Sequence, residues 1–418
     1  MLCVTYHTLQ EFDSMKIQTQ LAHKLVKQKI AQKRGKRMKV VVAIDSFKGS
    51  LSSIEAGKAI AAGIKRVDET AEIAVRPLAD GGEGTVETLI YGMGGNIKTV
   101  TVTGPLGEKT DCSYGIISDK KIAVIEMASA AGLPLVPDEQ KNPLYTTTFG
   151  VGELIKDAIS EGCRNFLIGI GGSATNDGGV GMLQALGVEF LTKEGKNISL
   201  GAIGLSELSE IRTENVMPEL KDCRFRIACD VENVLCGENG CSAVFGPQKG
   251  ATEEMVREMD LWLLRYAKLT KAIYEKSDPL TAGSGAAGGL GFAFQSYTNA
   301  VLESGIQIVL DITNLEKYIE DADLVITGEG RLDAQTTKGK APIGVAALAK
   351  KRGVLVVALT GMVGKDAAAC NQNGIDAYFP ILQAPITLEK AMDEEIAKRN
   401  LTATAEQVYR LFSRIKQQ

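Results

Sequence analysis

The chain has 418 residues, 44% of them hydrophobic and 23% charged, with a formal net charge of -4. That length favours two domains with a cleft between them, and the composition is that of a globular protein rather than a disordered one. Basic residues are dispersed beyond the N-terminus, which argues against a nucleic-acid surface, and no apolar run approaches the ~18 residues of a membrane span. The first residues also lack a secretory core. Eight cysteines are scattered along the chain. The closest pairs, Cys223 with Cys229 and Cys236 with Cys241, have neither C-x-x-C spacing nor a histidine partner, which argues against zinc and for free thiols in a reducing cytoplasm.

The first thirty-seven residues differ in texture. From Lys16 to Arg37 the chain is rich in Lys and Arg and has no Asp or Glu. Three readings compete: a basic targeting segment, a regulatory arm, or translated upstream sequence ahead of a start at Met38. The run Gln32-Lys33-Arg34-Gly35-Lys36-Arg37 favours the third, because purine-rich ribosome-binding sequence often reads as Lys, Arg and Gly. Both histidines, His7 and His23, lie here. The core from Met38 onward must therefore run its chemistry with carboxylates, lysines, hydroxyls and glycine-rich loops.

Lys39 to Ile44 reads as a strand emptying into the loop Asp45-Ser46-Phe47-Lys48-Gly49-Ser50. Ser52 and Glu55 have capping-box spacing, and the apolar period predicts a helix to about Arg66. Ala71 to Pro77 is the next strand, followed by Ala79-Asp80-Gly81-Gly82-Glu83-Gly84-Thr85 and a helix. This βαβα rhythm predicts a parallel sheet with functional loops at its carboxyl ends. Extended segments at Lys98 to Thr103, Asp111 to Ile117 and Lys121 to Glu126 point to a mixed sheet. A helix from Val151 to Glu161 precedes the strand Phe166 to Ile170, which runs into Gly171 to Gly179. The strand Phe225 to Cys229 ends on Asp230. Gly283 to Gly291 reads as a hinge or as the backbone wall of a ligand site, and a domain junction is placed there. A βαβ unit then returns: strand Leu324 to Thr327, loop Gly328 to Asp333, helix Pro342 to Lys351 and strand Val354 to Leu359.

The sequence Asp-Gly-Gly-x-Gly occurs at Asp80 and at Asp177, each copy opening a helix. Glycines let backbone amides approach a ligand and the helix start offers donors to an anion, whereas the plain alternative is an aspartate cap on a tight turn. Asp45 at a buried strand end must be paired, hydrogen-bonded or exposed in a cleft. Lys48 suits a phosphate or a carboxylate, or is simply solvated. Asp177 and Asp230 are candidates for metal ligand or general base, against capping and turn formation. Glu329 and Asp333 flank Arg331, either as a local ion pair or as a metal and substrate site. Gly104 to Thr110 fails as a P-loop because Glu108 interrupts the Gly-Lys pair. The G-x-G patterns at Gly169 and Gly283 lack, respectively, a convincing ribose-binding acid and a clear preceding strand.

Taken together, Asp45-Ser46-Phe47-Lys48, Ala79 to Thr85, Gly169 to Gly179, Phe245-Gly246-Pro247-Gln248-Lys249-Gly250, Gly285 to Gly291 and Thr327 to Asp333 resemble the bacterial glycerate kinases. The likeness runs from Met38 to about Gly364; the stretch beyond is more divergent, and the segment before Met38 has no counterpart. The resemblance implies ATP-dependent phosphorylation of D-glycerate with Mg²⁺, usually at the 2-hydroxyl, in carboxylic-acid catabolism. It implies a flavodoxin-like parallel-sheet α/β domain built from both chain ends, 38–95 and 290–418. A mixed-sheet, restriction-enzyme-like α/β domain, 96–289, is inserted between them, residues 1–37 lie outside the fold, and a homodimer stays open. Glycerate and the phosphates are then expected in the interdomain cleft. Asp45 and Lys48 join either Asp177 or Asp230 as catalytic groups. Substrate and phosphate contacts fall to Ser46, Asp80, Gly81, Gly82, Gly171, Gly172, Ser173, Thr175, Asn176 and Arg331, and metal contacts to Glu329 and Asp333. A kinase for another hydroxy acid, a nucleotide-dependent dehydrogenase and a non-catalytic ligand sensor are the rival readings.

Overall fold

The computed structural model describes residues 37–79 and 84–417. The chain opens with β1 (Lys39–Val42) and β2 (Glu72–Val75), joined by the helix Ser53–Lys65. It crosses to a second sheet through β3 (Asn96–Thr103), β4 (Lys109–Ile117), β5 (Ile122–Glu126) and β6 (Asn165–Gly169). The pair β7 (Glu189–Leu191) and β8 (Glu210–Arg212) stands apart from it, and β9 (Arg224–Ala228) and β10 (Ala300–Glu303) complete it. The chain then returns to the first sheet with β11 (Leu324–Leu332), β12 (Leu355–Val363) and β13 (Ala377–Pro380), and ends in the helix Glu394–Gln417.

The first sheet has the order β13-β12-β11-β1-β2 and is parallel throughout. This is the flavodoxin-like order, and the strand sequence reverses between β1 and β11, so a crevice opens beyond their carboxyl ends. The second sheet, β10-β9-β6-β5-β4-β3, is parallel from β10 to β5 and antiparallel from β5 to β3. The protein is thus a two-domain α/β fold: a parallel sheet made from both chain ends and an inserted mixed sheet. Among the described residues no helix is long and apolar enough to cross a membrane.

The β-branched runs explain the layering. Val40, Val41, Val42, Leu324, Val325 and Ile326 are fully buried, as a sheet covered on both faces requires. Val40, Val42, Leu324 and Ile326 share a core with the helices Ser53–Lys65 and Glu394–Gln417, while Val41 and Val325 face the helices Gly305–Ile312 and Ala341–Lys351. That second core also holds Ile117, Val124, Leu167 and Ala228 from the mixed sheet. One hydrophobic cluster therefore joins the two sheets and sets their carboxyl ends toward each other.

The capping box forms as expected: Glu55 N donates to Ser52 Oγ at 3.2 Å, and Ser52 N donates to Glu55 Oε2 at 3.0 Å. One local expectation changes. Gly328 to Leu332, anticipated as loop, continues β11, with Gly328 opposite Leu359, Glu329 opposite Thr360 and Arg331 opposite Met362. The partner strand also runs on, to Val363, and its pairing overrides the turn tendency of Gly and Arg.

Candidate active site

Beyond Val42 the chain stays stitched to β11: Ala43 N donates to Ile326 O at 2.8 Å and Asp45 N to Gly328 O at 3.0 Å. This carries Asp45, Ser46 and Lys48 alongside Glu329, Gly330 and Arg331, at the point where the strand order reverses. These residues line a cavity of about 530 Å³, whose far wall is apolar: Met362, Ile381, Leu382, Leu388 and Met392. Within it Ser46 N donates to Asp45 Oδ1 at 2.7 Å. Glu329 is buried and accepts from Thr336 Oγ1 at 2.6 Å, with Lys340 Nζ 3.7 Å from its other oxygen. Burial pushes the Glu329 carboxyl above its ordinary range, and the Thr336 hydrogen bond and the Lys340 charge oppose it.

Lys48 also lines a second cavity of about 300 Å³, formed by Gly171, Gly172 and Ser173 beyond β6, by Asp230 beyond β9, and by Gln248 and Lys249. Asp230 Oδ1 accepts from Gly305 N, at the start of the helix Gly305–Ile312, at 3.2 Å. Ala286 and Ala287 close one side, so the glycine-rich stretch acts as a backbone wall of this cavity. Ala287, Gly288 and Gly289 are left-handed in succession, with φ of 51°, 65° and 93°. A Cβ on Gly288 would lie 2.0 Å from the Thr175 carbonyl oxygen, so only glycine lets this wall close on the Gly171–Asn176 loop.

The second Asp-Gly-Gly-x-Gly segment is tied into the fold through its aspartate. Asp177 is 1% exposed and lines neither cavity. Its Oδ2 accepts from Thr148 N and Thr148 Oγ1, both at 2.8 Å, and from Gly181 N at 3.3 Å, while Oδ1 accepts from Gly179 N at 3.0 Å. The protein's own carboxylate thus occupies the amides of Gly179, the N-cap of the helix Val180–Ala185, and of Gly181 in its first turn. Burial raises the Asp177 pKa, and these hydrogen bonds work against that shift. Thr175 and Asn176 also sit behind the cavity wall, with Asn176 Nδ2 donating to Ser242 Oγ at 2.8 Å. The first copy, with Asp80, Gly81 and Gly82, lies outside the described residues, as do residues 1–36.

Arg331 is exposed and its Nε lies 2.9 Å from Asp333 Oδ2. Asp333 also accepts from Gln335 N at 2.9 Å and lines a separate hollow with Gly364 and Lys365, so its carboxylate and that of Glu329 face different spaces. Among the described residues no group of three or more His, Cys, Asp or Glu is arranged to hold a metal.

Sequence reasoning passed over Lys249 and Lys340. Lys249 lay inside a quoted motif without a role; nothing local distinguishes a lysine that will be buried. Lys340 precedes the helix Ala341–Lys351 and reaches Glu329 only through the tertiary fold.

The sequence model of the glycerate kinase family matches residues 40–413. A glycerate 2-kinase of Escherichia coli is 48% identical over 372 residues, covering 88% of this chain and 98% of that protein. A glycerate kinase of Haemophilus influenzae is 47% identical over 376 residues, 90% and 99% of the two chains. A crystal structure described as glycerate kinase 2 from Salmonella typhimurium superposes with a TM-score of 0.85 at 45% identity, covering 92% of this chain and all of that one. With a match that spans both sheets and every loop around the two cavities, this chain belongs to the glycerate kinase family and is a kinase.

Proposed function

We propose that the protein transfers the γ-phosphoryl group of ATP to D-glycerate, giving 2-phosphoglycerate and ADP, in the cytoplasm and in carboxylic-acid catabolism. The observation that carries this reading is the pair of cavities meeting at Lys48, one small and bearing Ser173, Asp230 and Lys249, the other larger with an apolar wall. Glycerate goes in the first and the nucleotide in the second, with its base against Met362, Leu382, Leu388 and Met392. The triphosphate then points to Lys48, Lys340 and Arg331.

Phosphoryl transfer asks a protein mainly for positioning and charge neutralisation, because its transition state is loose. Asp230 is the proposed base, since it lines the small cavity and Asp177 does not. Its carboxylate takes the proton of the glycerate hydroxyl as that oxygen bonds to the γ-phosphorus and the bond to the ADP oxygen breaks. Magnesium is held through one or two carboxylates together with substrate phosphates, and Glu329, on the wall shared with Asp45 and Lys340, fits that donor set. Bound there, the ion would offset phosphate charge. Asp333, tied to Arg331, is proposed to orient that guanidinium. We also place the exchanges between domains near residue 95 and near residue 304, where consecutive strands change sheet.

Phosphorus NMR of the product made from ATP and D-glycerate tests the reading. A 2-phosphoglycerate signal is expected. A 3-phosphoglycerate signal would overturn the position, and turnover with a different hydroxy acid alone would overturn the substrate.

A further inference from the structure

We propose that Lys249 is the group that recognises the carboxylate of the substrate. This rests on placing glycerate in the small cavity. Lys249 ends the short turn Pro247–Lys249, and its side chain is 2% exposed. Nζ donates to Ser173 Oγ at 2.9 Å and to the Thr175 carbonyl oxygen at 2.6 Å. An ammonium has three N–H donors, so one is left without a protein partner among the described residues.

A buried cation normally sits against a carboxylate, because desolvating it unpaired costs several kcal/mol. Here both partners are neutral oxygens. The anionic side chain that acts on it, Asp177, gives its two oxygens to Thr148, Gly179 and Gly181. The other titratable group acting on it is the Cys241 thiol, and Lys48 and Asp230 line the same cavity. Burial pulls the Lys249 pKa down to about 8, as expected for a cation whose counterion is still to arrive.

The missing counterion is a small anion lodged against Ser173 and the Gly171–Gly172 turn. A carboxylate fits better than a nucleotide phosphate. Lys249 lines the small cavity and is absent from the walls of the larger one, whereas Lys48 borders both. The Asp230 carboxylate in the same space suits a hydroxyl next to a carboxylate held by Lys249. The result is a two-point fit for a 2-hydroxy acid, its carboxylate on Lys249 and Ser173 and its hydroxyl toward Asp230.

Steady-state kinetics of Lys249→Met, with D-glycerate and ATP varied in turn, tests the assignment. The expected result is a KM for D-glycerate roughly 10- to 100-fold higher, the range for a lost hydrogen bond to a charged group, with the KM for ATP unchanged. Discrimination between D-glycerate and the uncharged analogue glycerol should narrow by a similar factor. An unchanged KM for D-glycerate overturns the proposal, and so does a rise confined to ATP, which would make the anion a nucleotide phosphate. A wild-type measurement guards against a variant that does not fold. Binding of D-glycerate to the unmodified enzyme should take up protons near pH 8, read as a buffer-dependent heat in calorimetry, because the arriving carboxylate restores the ammonium. D-glycerate binding without proton uptake between about pH 7 and 9.5 overturns the assignment of Lys249 alone. Wild-type enzyme that neither binds nor turns over D-glycerate takes down the functional reading as well.

Discussion

Replacing Asp177 and Asp230 in turn by asparagine separates a carboxylate that holds the fold from one that works on substrate. In Asp177→Asn the amide nitrogen must face at least one backbone N–H. Its mildest placement, at Oδ1, loses the Gly179 bond and leaves three bonds to a neutral oxygen. A hydrogen bond to a charged group contributes about 1.5–3 kcal/mol and a neutral one about 1. One bond lost and three weakened therefore come to about 5 kcal/mol. Relief of the buried charge offsets part of this, leaving a net loss on the order of 2–4 kcal/mol. The assay is urea unfolding followed by the fluorescence of the single tryptophan, Trp262, which packs against the same core as Val180 and Leu263. Asp177→Asn should unfold at clearly lower urea while keeping kcat per folded molecule within about tenfold. Asp230→Asn should do the reverse, with an unchanged midpoint and kcat lower by roughly 10²–10⁴. An Asp177→Asn enzyme of normal stability and collapsed kcat would refute the structural role of these hydrogen bonds and return Asp177 to the reaction.

Other consequences follow from single contacts. Because burial lowers the Lys249 pKa from 10.5 to about 8, the unfolded chain holds more protons between those values, and stability should rise with pH across that window. Below pH 8 the full penalty is present, so the stability of the wild type relative to Lys249→Met should climb by about 3 kcal/mol from pH 8 to 10.5; a flat difference would count against the burial argument. Gly288→Ala should lower both the thermal midpoint and the activity, since its Cβ would meet the Thr175 carbonyl at 2.0 Å; a variant indistinguishable from wild type would show that the wall yields freely. Leu388→Asp should raise the KM for ATP by roughly tenfold through lost apolar contact, leaving that for D-glycerate alone; equal effects on both would place the nucleobase elsewhere.

Much of the fold was legible in the residues because each signal was local. The β-branched runs at Val40 and Val325, the Ser52 and Glu55 capping spacing and the returning βαβ pattern after Gly291 report short-range preferences that the tertiary structure kept. The resemblance carried the family and the two-domain order, since several motifs recur in one sequence order. What only the tertiary structure decided was which polar groups share a space. Asp177 and Asp230 look alike in sequence, each just past an apolar strand. One is enclosed by the amides of Thr148, Gly179 and Gly181, and the other stands beside Lys48 at a cavity wall. Lys249 is 74 residues from Thr175 and 76 from Ser173, and its meaning comes from being buried between them. Sequence pattern records what a residue asks of its neighbours along the chain; burial and the identity of a counterion depend on contacts that form only when the strands of both sheets are in place.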